Sequence, residues 1–127
     1  MKESVLRDKS GKFADRIAKL YRYLTDTKKE FIFSKQIARC GTSIGANVAE
    51  AGFAASKKDF VCKLKIAQKE CNETMYWLER LNAGSFITEK EFNSMKNDCD
   101  EIGKMLTTSV RTATLKPAPA NKLNTNN

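Results

Sequence analysis

The sequence contains no histidine, and its two prolines, Pro117 and Pro119, both stand near the C-terminal end. Histidine is the commonest general base of enzymes and a frequent metal ligand, so its absence narrows the catalytic and metal-binding chemistry open to this chain. The long proline-free part suits helices, because an internal proline removes a backbone hydrogen bond and clashes with the preceding turn.

Cysteine occurs four times, but at no spacing that predicts a site. Cys40, Cys62, Cys71 and Cys99 are too far apart in sequence for a zinc knuckle or a short redox motif. The chain begins without an apolar leader, and no apolar run approaches the roughly 18 residues of a membrane span. We therefore expect a cytoplasmic protein with reduced thiols, no bound metal or other cofactor and no membrane partner.

The composition is that of one globular domain. Hydrophobic residues make up 41% and charged residues 30% of a chain of 127, which is long enough for a single continuous core. Four segments repeat apolar residues with the period of a helix. The first begins near Gly11, and the second and third extend over residues 33–51 and 57–83. The fourth begins after Thr88 and ends near Thr112.

Local signals mark two helix starts and one close contact. Ser56 and Thr88 each begin a capping box, in which a hydroxyl and an acid three positions later satisfy the first N–H groups of a helix. The second segment contains Gly41, Gly45 and Gly52, which weaken a helix by roughly 1 kcal/mol each. Their presence predicts that another backbone approaches this helix closely.

Four amphipathic helices with short connections predict an all-α fold, an antiparallel up-down-up-down four-helix bundle. No segment alternates apolar and polar residues as a strand would. We expect the bundle domain to cover residues 1–113. The tail at residues 114–127, which holds both prolines and several asparagines, is expected to be disordered.

Acidic side chains on the second and third helices are the first candidates for a catalytic or metal site. Glu70 and Glu73 lie three positions apart, and Glu50 could face them. Di-iron bundles add histidine to such acids, so we expect these carboxylates to pair with Arg39 or nearby lysines instead. Cys62 is expected to project outward and the other three cysteines to be buried. No catalytic residue is predicted, and the chain is not expected to be an enzyme.

A second stripe borders the apolar one on the third helix. Ile66 and Trp77 lie on it, outside the main apolar row, beside a polar strip of the second helix. Because a bundle needs only one buried stripe per helix, the mixed stripe predicts a contact with another subunit. The alternative is that Trp77 covers the edge of its own bundle.

The net charge of +8 favours an anionic partner. Residues 1–30 carry nine cations and five acids, whereas residues 85–113 carry four cations and five acids. Stripes of cations on the first helix and on the first half of the third could neutralise phosphates of a nucleic acid. The alternative is a solvated surface without a ligand. The candidate nucleic-acid-binding residues are Lys9, Lys12, Arg16, Lys19, Lys57, Lys58, Lys63, Lys65 and Lys69.

The stretch QIARCGTSIGANVAEA at residues 36–51 resembles the signature of a family of four-helix-bundle proteins encoded in intervening sequences of bacterial large-subunit ribosomal RNA genes. That family is also labelled as a small-subunit ribosomal protein family. The likeness continues through ETMYWL at residues 73–78 and covers roughly residues 5–113. The residues that carry the family motif are Arg39, Ser43, Ile44, Asn47, Glu50, Glu70 and Glu73.

The resemblance implies a bacterial, cytoplasmic protein that assembles into a ring-like homo-oligomer, a pentamer, and has a link to RNA. A related accessory protein of diversity-generating retroelements is a basic pentamer that works with a reverse transcriptase. Two hypotheses follow. The first is a non-enzymatic, self-assembling protein that associates with ribosomal or other structured RNA through backbone charge. The second is an oligomeric accessory module whose partner is a protein.

Overall fold

Four helices pack side by side in the computed structural model, which describes residues 2–115. They are α1 (Lys2–Asp26), α2 (Phe33–Ala51), α3 (Lys57–Ala83) and α4 (Glu89–Leu115). α1 and α3 each pack against α2 and α4, and within the described chain the backbones of the diagonal helix pairs lie farther apart. This arrangement confirms the predicted all-α four-helix bundle. None of the four helices is both long and apolar enough to cross a bilayer.

α1 is longer than its apolar pattern predicted. It begins at Lys2 rather than near Gly11, because Leu6 extends the buried row and is only 1% exposed. The position one turn after Leu6 is the polar Ser10, which is itself buried, so the apolar period is interrupted between Leu6 and Phe13. α4 continues to Leu115, and the rest of the tail predicted for residues 114–127 lies outside the described residues.

The two predicted caps are present. The Ser56 hydroxyl accepts a hydrogen bond from the backbone N–H of Asp59 at 3.0 Å. At the start of α4 the bonds are reciprocal: the Thr88 N–H donates to Glu91 Oε1 at 2.8 Å, and the Glu91 N–H donates to Thr88 Oγ1 at 3.1 Å. These bonds satisfy N–H groups that have no acceptor within the helix, so each helix starts at a defined residue.

A buried glutamate, which the sequence pattern did not reveal, caps α2. The Glu30 carboxylate accepts hydrogen bonds from the backbone N–H groups of Ile32, Phe33 and Ser34 at 2.9, 2.9 and 2.7 Å. The Ser34 hydroxyl donates back to the Glu30 carbonyl at 2.8 Å. The negative charge thus lies at the positive end of the α2 dipole and fixes the turn between α1 and α2.

Apolar rows from all four helices meet in one continuous core. The four thiols are placed as predicted: Cys62 is exposed and the other three are buried. The largest fully buried side chains include Leu6, Phe13, Ile17, Leu24, Ile37, Ile44, Leu64, Leu78, Leu81, Ile102 and Leu106.

Two glycines of α2 lie where α1 comes closest, as predicted. A Cβ atom added at Gly45 would lie 3.0 Å from the carbonyl oxygen and 3.3 Å from the carbonyl carbon of Ser10. One added at Gly41 would lie 2.8 Å from the Ile17 side chain. At Gly45 the obstacle is backbone, which cannot move without displacing α1, so this position fixes the distance between the two helices.

We expect Gly45→Ala to lower the free energy of unfolding by about 1 kcal/mol. The close contact with the Ser10 backbone costs about 2 kcal/mol, which exceeds the roughly 1 kcal/mol that alanine adds through helix propensity. Gly11 is the matched control because no atom lies within 4 Å of a Cβ added there. Gly11→Ala should therefore stabilise the protein by roughly 1 kcal/mol in urea unfolding. Stabilisation by both substitutions would show that α1 and α2 are not in tight contact.

Candidate nucleic-acid interface

The outer surface of α3 carries a continuous row of exposed residues at alternating steps of four and three. We call this row the α3 basic face; it consists of Lys58, Cys62, Lys65, Lys69, Asn72 and Tyr76. It lies opposite the buried row of the same helix, which includes Leu64, Ala67 and Cys71. The α3 basic face contains three ammonium groups and no carboxylate, so its charge is not neutralised within the row.

An aromatic side chain ends the α3 basic face. Tyr76 is 50% exposed, and its ring centroid lies 4.9 Å from that of Trp77 in an edge-on arrangement. The Arg80 guanidinium carbon lies 5.2 Å from the Tyr76 centroid, a cation–π distance. The row therefore ends in an oriented ring beside a further cation.

The cations predicted on α1 are differently placed, because most of them meet carboxylates. Lys9 Nζ lies 3.2 Å from Glu101, and Arg16 Nη1 lies 2.6 Å from Asp98; both acids belong to α4.

Lys12 pairs with Asp8 of its own helix at 3.2 Å, and Lys19 is exposed. Because α1 and α3 are diagonal in the bundle, the two predicted stripes of cations do not form one surface.

Two predicted cations of α3 lie off its basic face. Lys63 Nζ is 3.1 Å from the Glu50 carboxylate of α2, and the hydrogen bond to Glu50 raises the pKa of Lys63. Lys57 is exposed in the first turn of the helix. The α2–α3 groove therefore holds Lys63, while Lys58, Lys65 and Lys69 point outward.

The polar strips of α2 and α3 meet in an ion-pair network. Arg39 Nη1 lies 3.3 Å from Glu70 Oε1, and Arg39 Nη2 lies 2.5 Å from Glu73 Oε2. Trp77 Nε1 donates to the same Glu73 oxygen at 3.1 Å. This confirms that the carboxylates pair with Arg39. The hydrogen bond from Arg39, followed by that from Trp77, lowers the pKa of Glu73, and the bond to Glu73 raises the pKa of Arg39.

The remaining family-motif residues contact α2 itself, the core or α3. Asn47 Nδ2 donates to the Ser43 carbonyl at 2.9 Å and lies 3.1 Å from the Ser43 hydroxyl. Ile44 is fully buried, and Glu50 is exposed apart from its bond to Lys63. None of these contacts aims a reactive group into a cleft.

The two residues predicted at a subunit contact are half-buried within one chain. Trp77 packs against Phe33 of α2, with ring centroids 5.6 Å apart. Trp77 thus covers the edge of its own bundle, and its exposed part remains available for the subunit contact predicted from the sequence.

Within residues 2–115 no group of three or more histidine, cysteine or acidic side chains could hold a metal ion. One contact between functional groups could not be predicted from the spacing of residues in the sequence. Cys71 and Cys99, which lie 28 positions apart, bring their sulfur atoms to 3.6 Å inside the bundle. Only the register of α3 against α4 could have revealed this pair.

These features define the class of the protein. It is a basic four-helix bundle whose outer row on α3 carries no acid. The chain belongs to the family described as 23S rRNA-intervening sequence protein, whose model matches residues 2–108. The match confirms the resemblance found in α2 and α3. Neither this description nor the name of the solved relative below indicates an enzyme.

A solved structure supports the same assignment. The chain is similar to a protein with unknown function from the S23 ribosomal protein family of Bacteroides thetaiotaomicron VPI-5482, whose crystal structure was determined at 1.70 Å. The two are 51% identical, the alignment covers 87% of this chain and 99% of the other, and the TM-score is 0.86. A search of curated proteins gives no match.

Glu73→Gln should lower stability in a pH-dependent way. Because the folded-state pKa of Glu73 is lowered, the carboxylate stabilises the fold above its ordinary pKa, and this contribution disappears as the pH falls through the lowered value. Arg39 is 52% exposed, so solvent screening limits the loss to about 0.5–1 kcal/mol at neutral pH. Glu79→Gln, at an exposed position of α3, is the control. Equal effects of both variants, or an effect of Glu73→Gln that persists in acid, would contradict this assignment.

Proposed function

We propose that this protein is a non-enzymatic, self-assembling bundle that associates with RNA through the α3 basic face. The observation that carries the proposal is the row of exposed lysines at positions 58, 65 and 69 without an intervening acid. Lysines of α1 contribute less, because three of the four predicted cations there already pair with carboxylates.

The geometry of the row fits a phosphate backbone. From Lys58 to Tyr76 the helix advances about 27 Å at 1.5 Å per residue. Long, exposed ammonium side chains bind phosphates as point charges and do not read base edges. Tyr76 offers an exposed ring on which an unpaired base can stack. Binding should therefore follow charge and RNA shape rather than sequence.

The description of the family supports RNA as the anionic partner of this face. Its description concerns an intervening sequence of 23S rRNA, and a cytoplasmic protein with a basic surface would meet structured RNA of this kind. Self-assembly, as a pentamer or another ring, would repeat the α3 basic face around the assembly. Once RNA binds one copy of the face, the other copies are held close to the same RNA. Their effective concentration is therefore high, and the ring binds more tightly than a single face does.

A second candidate is a protein-interaction or accessory module without direct RNA binding, for example a partner of a reverse transcriptase. Exposed apolar side chains in the connections favour it: Ile32 is 72% exposed and Phe53 is 80% exposed. Large apolar side chains on a surface mark contacts with other proteins when they cluster. Phe31, which is 52% exposed, lies beside Ile32 in the α1–α2 connection.

The lysine row is tested with the double variant Lys65→Gln/Lys69→Gln and a labelled RNA stem-loop. Fluorescence anisotropy at increasing salt gives the slope of log affinity against log salt concentration. Each phosphate contact contributes about 0.7–0.9 to that slope. We therefore expect the double variant to lower its magnitude by roughly 1.4–1.8 for each bound chain and to weaken binding at low salt.

Lys35→Gln/Lys90→Gln is the matched control, because it removes the same charge from exposed positions in the first turns of α2 and α4, outside the α3 basic face. It should leave the slope close to that of the parent. Equal losses from both double variants would assign binding to overall charge rather than to the α3 basic face. Absence of binding by the parent at low salt would rule out RNA association and leave the protein-partner hypothesis.

Self-assembly is tested with Trp77→Ala, which should lower the mass measured by light scattering. Phe86→Ala is the matched control, because Phe86 packs on the same Phe33 ring, with centroids 6.2 Å apart, but lies outside the α2–α3 groove. A mass loss in both variants would reflect lost packing within the chain. An unchanged mass in Trp77→Ala would remove Trp77 from the interface. A protein partner that stays bound after nuclease treatment would favour the second candidate.

A further inference from the structure

Two thiols meet at the contact between α3 and α4. The sulfur atoms of Cys71 and Cys99 lie 3.6 Å apart. Each sulfur also lies close to the main chain of the other residue: Cys71 Sγ is 3.4 Å from the Cys99 carbonyl oxygen, and Cys99 Sγ is 3.5 Å from that of Cys71. The two residues therefore stand at the same level on neighbouring helices.

This geometry lies close to that of a disulfide. A disulfide requires sulfurs about 2.05 Å apart and Cα atoms within about 7 Å. Each sulfur already reaches the partner residue's carbonyl oxygen, and side-chain rotation can supply the remaining approach of roughly 1.5 Å. Gly103 lies beside the pair, and a Cβ atom added to it would be in ordinary van der Waals contact with Cys71 Sγ at 3.6 Å.

A cavity gives small molecules access to the pair. It has a volume of about 580 Å³ and is lined by both cysteines together with Asp100, Gly103 and Lys104. Lys104 and the neighbouring Thr107 are exposed, so the cavity opens to solvent between α3 and α4. Cys71 and Cys99 are only 4% and 1% exposed, so both thiols line the cavity with little of their surface in solvent.

The two thiols differ in acidity. The hydrogen bond from Cys99 lowers the pKa of Cys71, because it stabilises the thiolate. The same bond, followed by burial, raises the pKa of Cys99. Cys71 is also the more exposed of the two thiols, so we assign it as the nucleophile of the pair and Cys99 as the thiol that keeps its proton until the second step.

The other two cysteines have no such arrangement. Cys40 is buried, with Thr74 Oγ1 3.3 Å from its sulfur, and burial raises the pKa of the Cys40 thiol. Cys62 is exposed on the α3 basic face. Among the four thiols of the described chain, only Cys71 and Cys99 are in mutual contact.

We propose that Cys71 and Cys99 form an oxidisable dithiol, a modification site at which hydrogen peroxide produces an intrachain disulfide between α3 and α4. The Cys71 thiolate attacks one peroxide oxygen and breaks the O–O bond, which gives a sulfenic acid and, with one proton, water. The Cys99 sulfur then attacks the Cys71 sulfur and displaces the hydroxyl group, which leaves as water with the Cys99 proton. Two thiols and one peroxide thus give one disulfide and two water molecules.

The parent for the test is the full chain with Cys62→Ser, which excludes disulfides between chains through the exposed thiol. The native protein is treated with dilute hydrogen peroxide, and its free thiols are counted by alkylation after unfolding. We expect the loss of two of three thiols, an intact mass lower by two hydrogens, and a peptide that joins residues 71 and 99. A thiol reductant should reverse all three changes.

Further variants keep the proposal falsifiable. Cys40→Ala should leave the disulfide yield unchanged, because Cys40 lies outside the pair. Cys99→Ser should accumulate a sulfenic acid at Cys71 that dimedone traps, whereas Cys71→Ser should give no trapped product at Cys99. Retention of all three thiols, or a disulfide that includes Cys40, would overturn the proposal. Mapping of the folded parent decides the question even if a variant of the pair fails to fold.

Discussion

The contact between Gly45 and the backbone of Ser10 sets the distance between α1 and α2, and the rest of the bundle depends on it. A Cβ atom at this position would lie 3.0 Å from the Ser10 carbonyl oxygen. The close approach places Ile17 against Gly41 and lets the α1 row enter the core. Because α2 packs against both α1 and α3, the same contact determines how α2 presents Arg39 to the acids of α3.

The parts of the fold that local chemistry determines could be predicted from the sequence. α2 and α3 were placed correctly because their apolar periods are unbroken. The start of α3 is also marked by Ser56, whose cap needs only the next three residues. The start of α1 was missed because the polar Ser10 interrupts the apolar row between Leu6 and Phe13. The cap by Glu30 was missed because it forms across a turn whose shape depends on Lys29 in a left-handed conformation.

The candidate site was predictable in composition but not in arrangement. The lysines of α3 follow from the sequence, but Lys63 does not belong with them, because Glu50 holds it in the α2–α3 groove. The ion pairs of Lys9 and Arg16 with α4 carboxylates depend on the register of α1 against α4, which the helical period does not specify. The Cys71–Cys99 contact could not be predicted for the same reason. The helical period shows which residues face the core, but not which residues of neighbouring helices are in contact.

The two proposed sites share a boundary, which links their chemistry. Asn72 belongs to the α3 basic face and also lines the cavity over the two thiols. An RNA strand that follows Lys65 and Lys69 toward Tyr76 therefore passes the mouth of that cavity. If RNA binds as proposed, its phosphates would come near the exposed Lys104 on the opposite wall, and the bound strand would restrict the entry of peroxide. A disulfide between α3 and α4 would in turn fix the width of this mouth, because it joins the two walls of the cavity covalently.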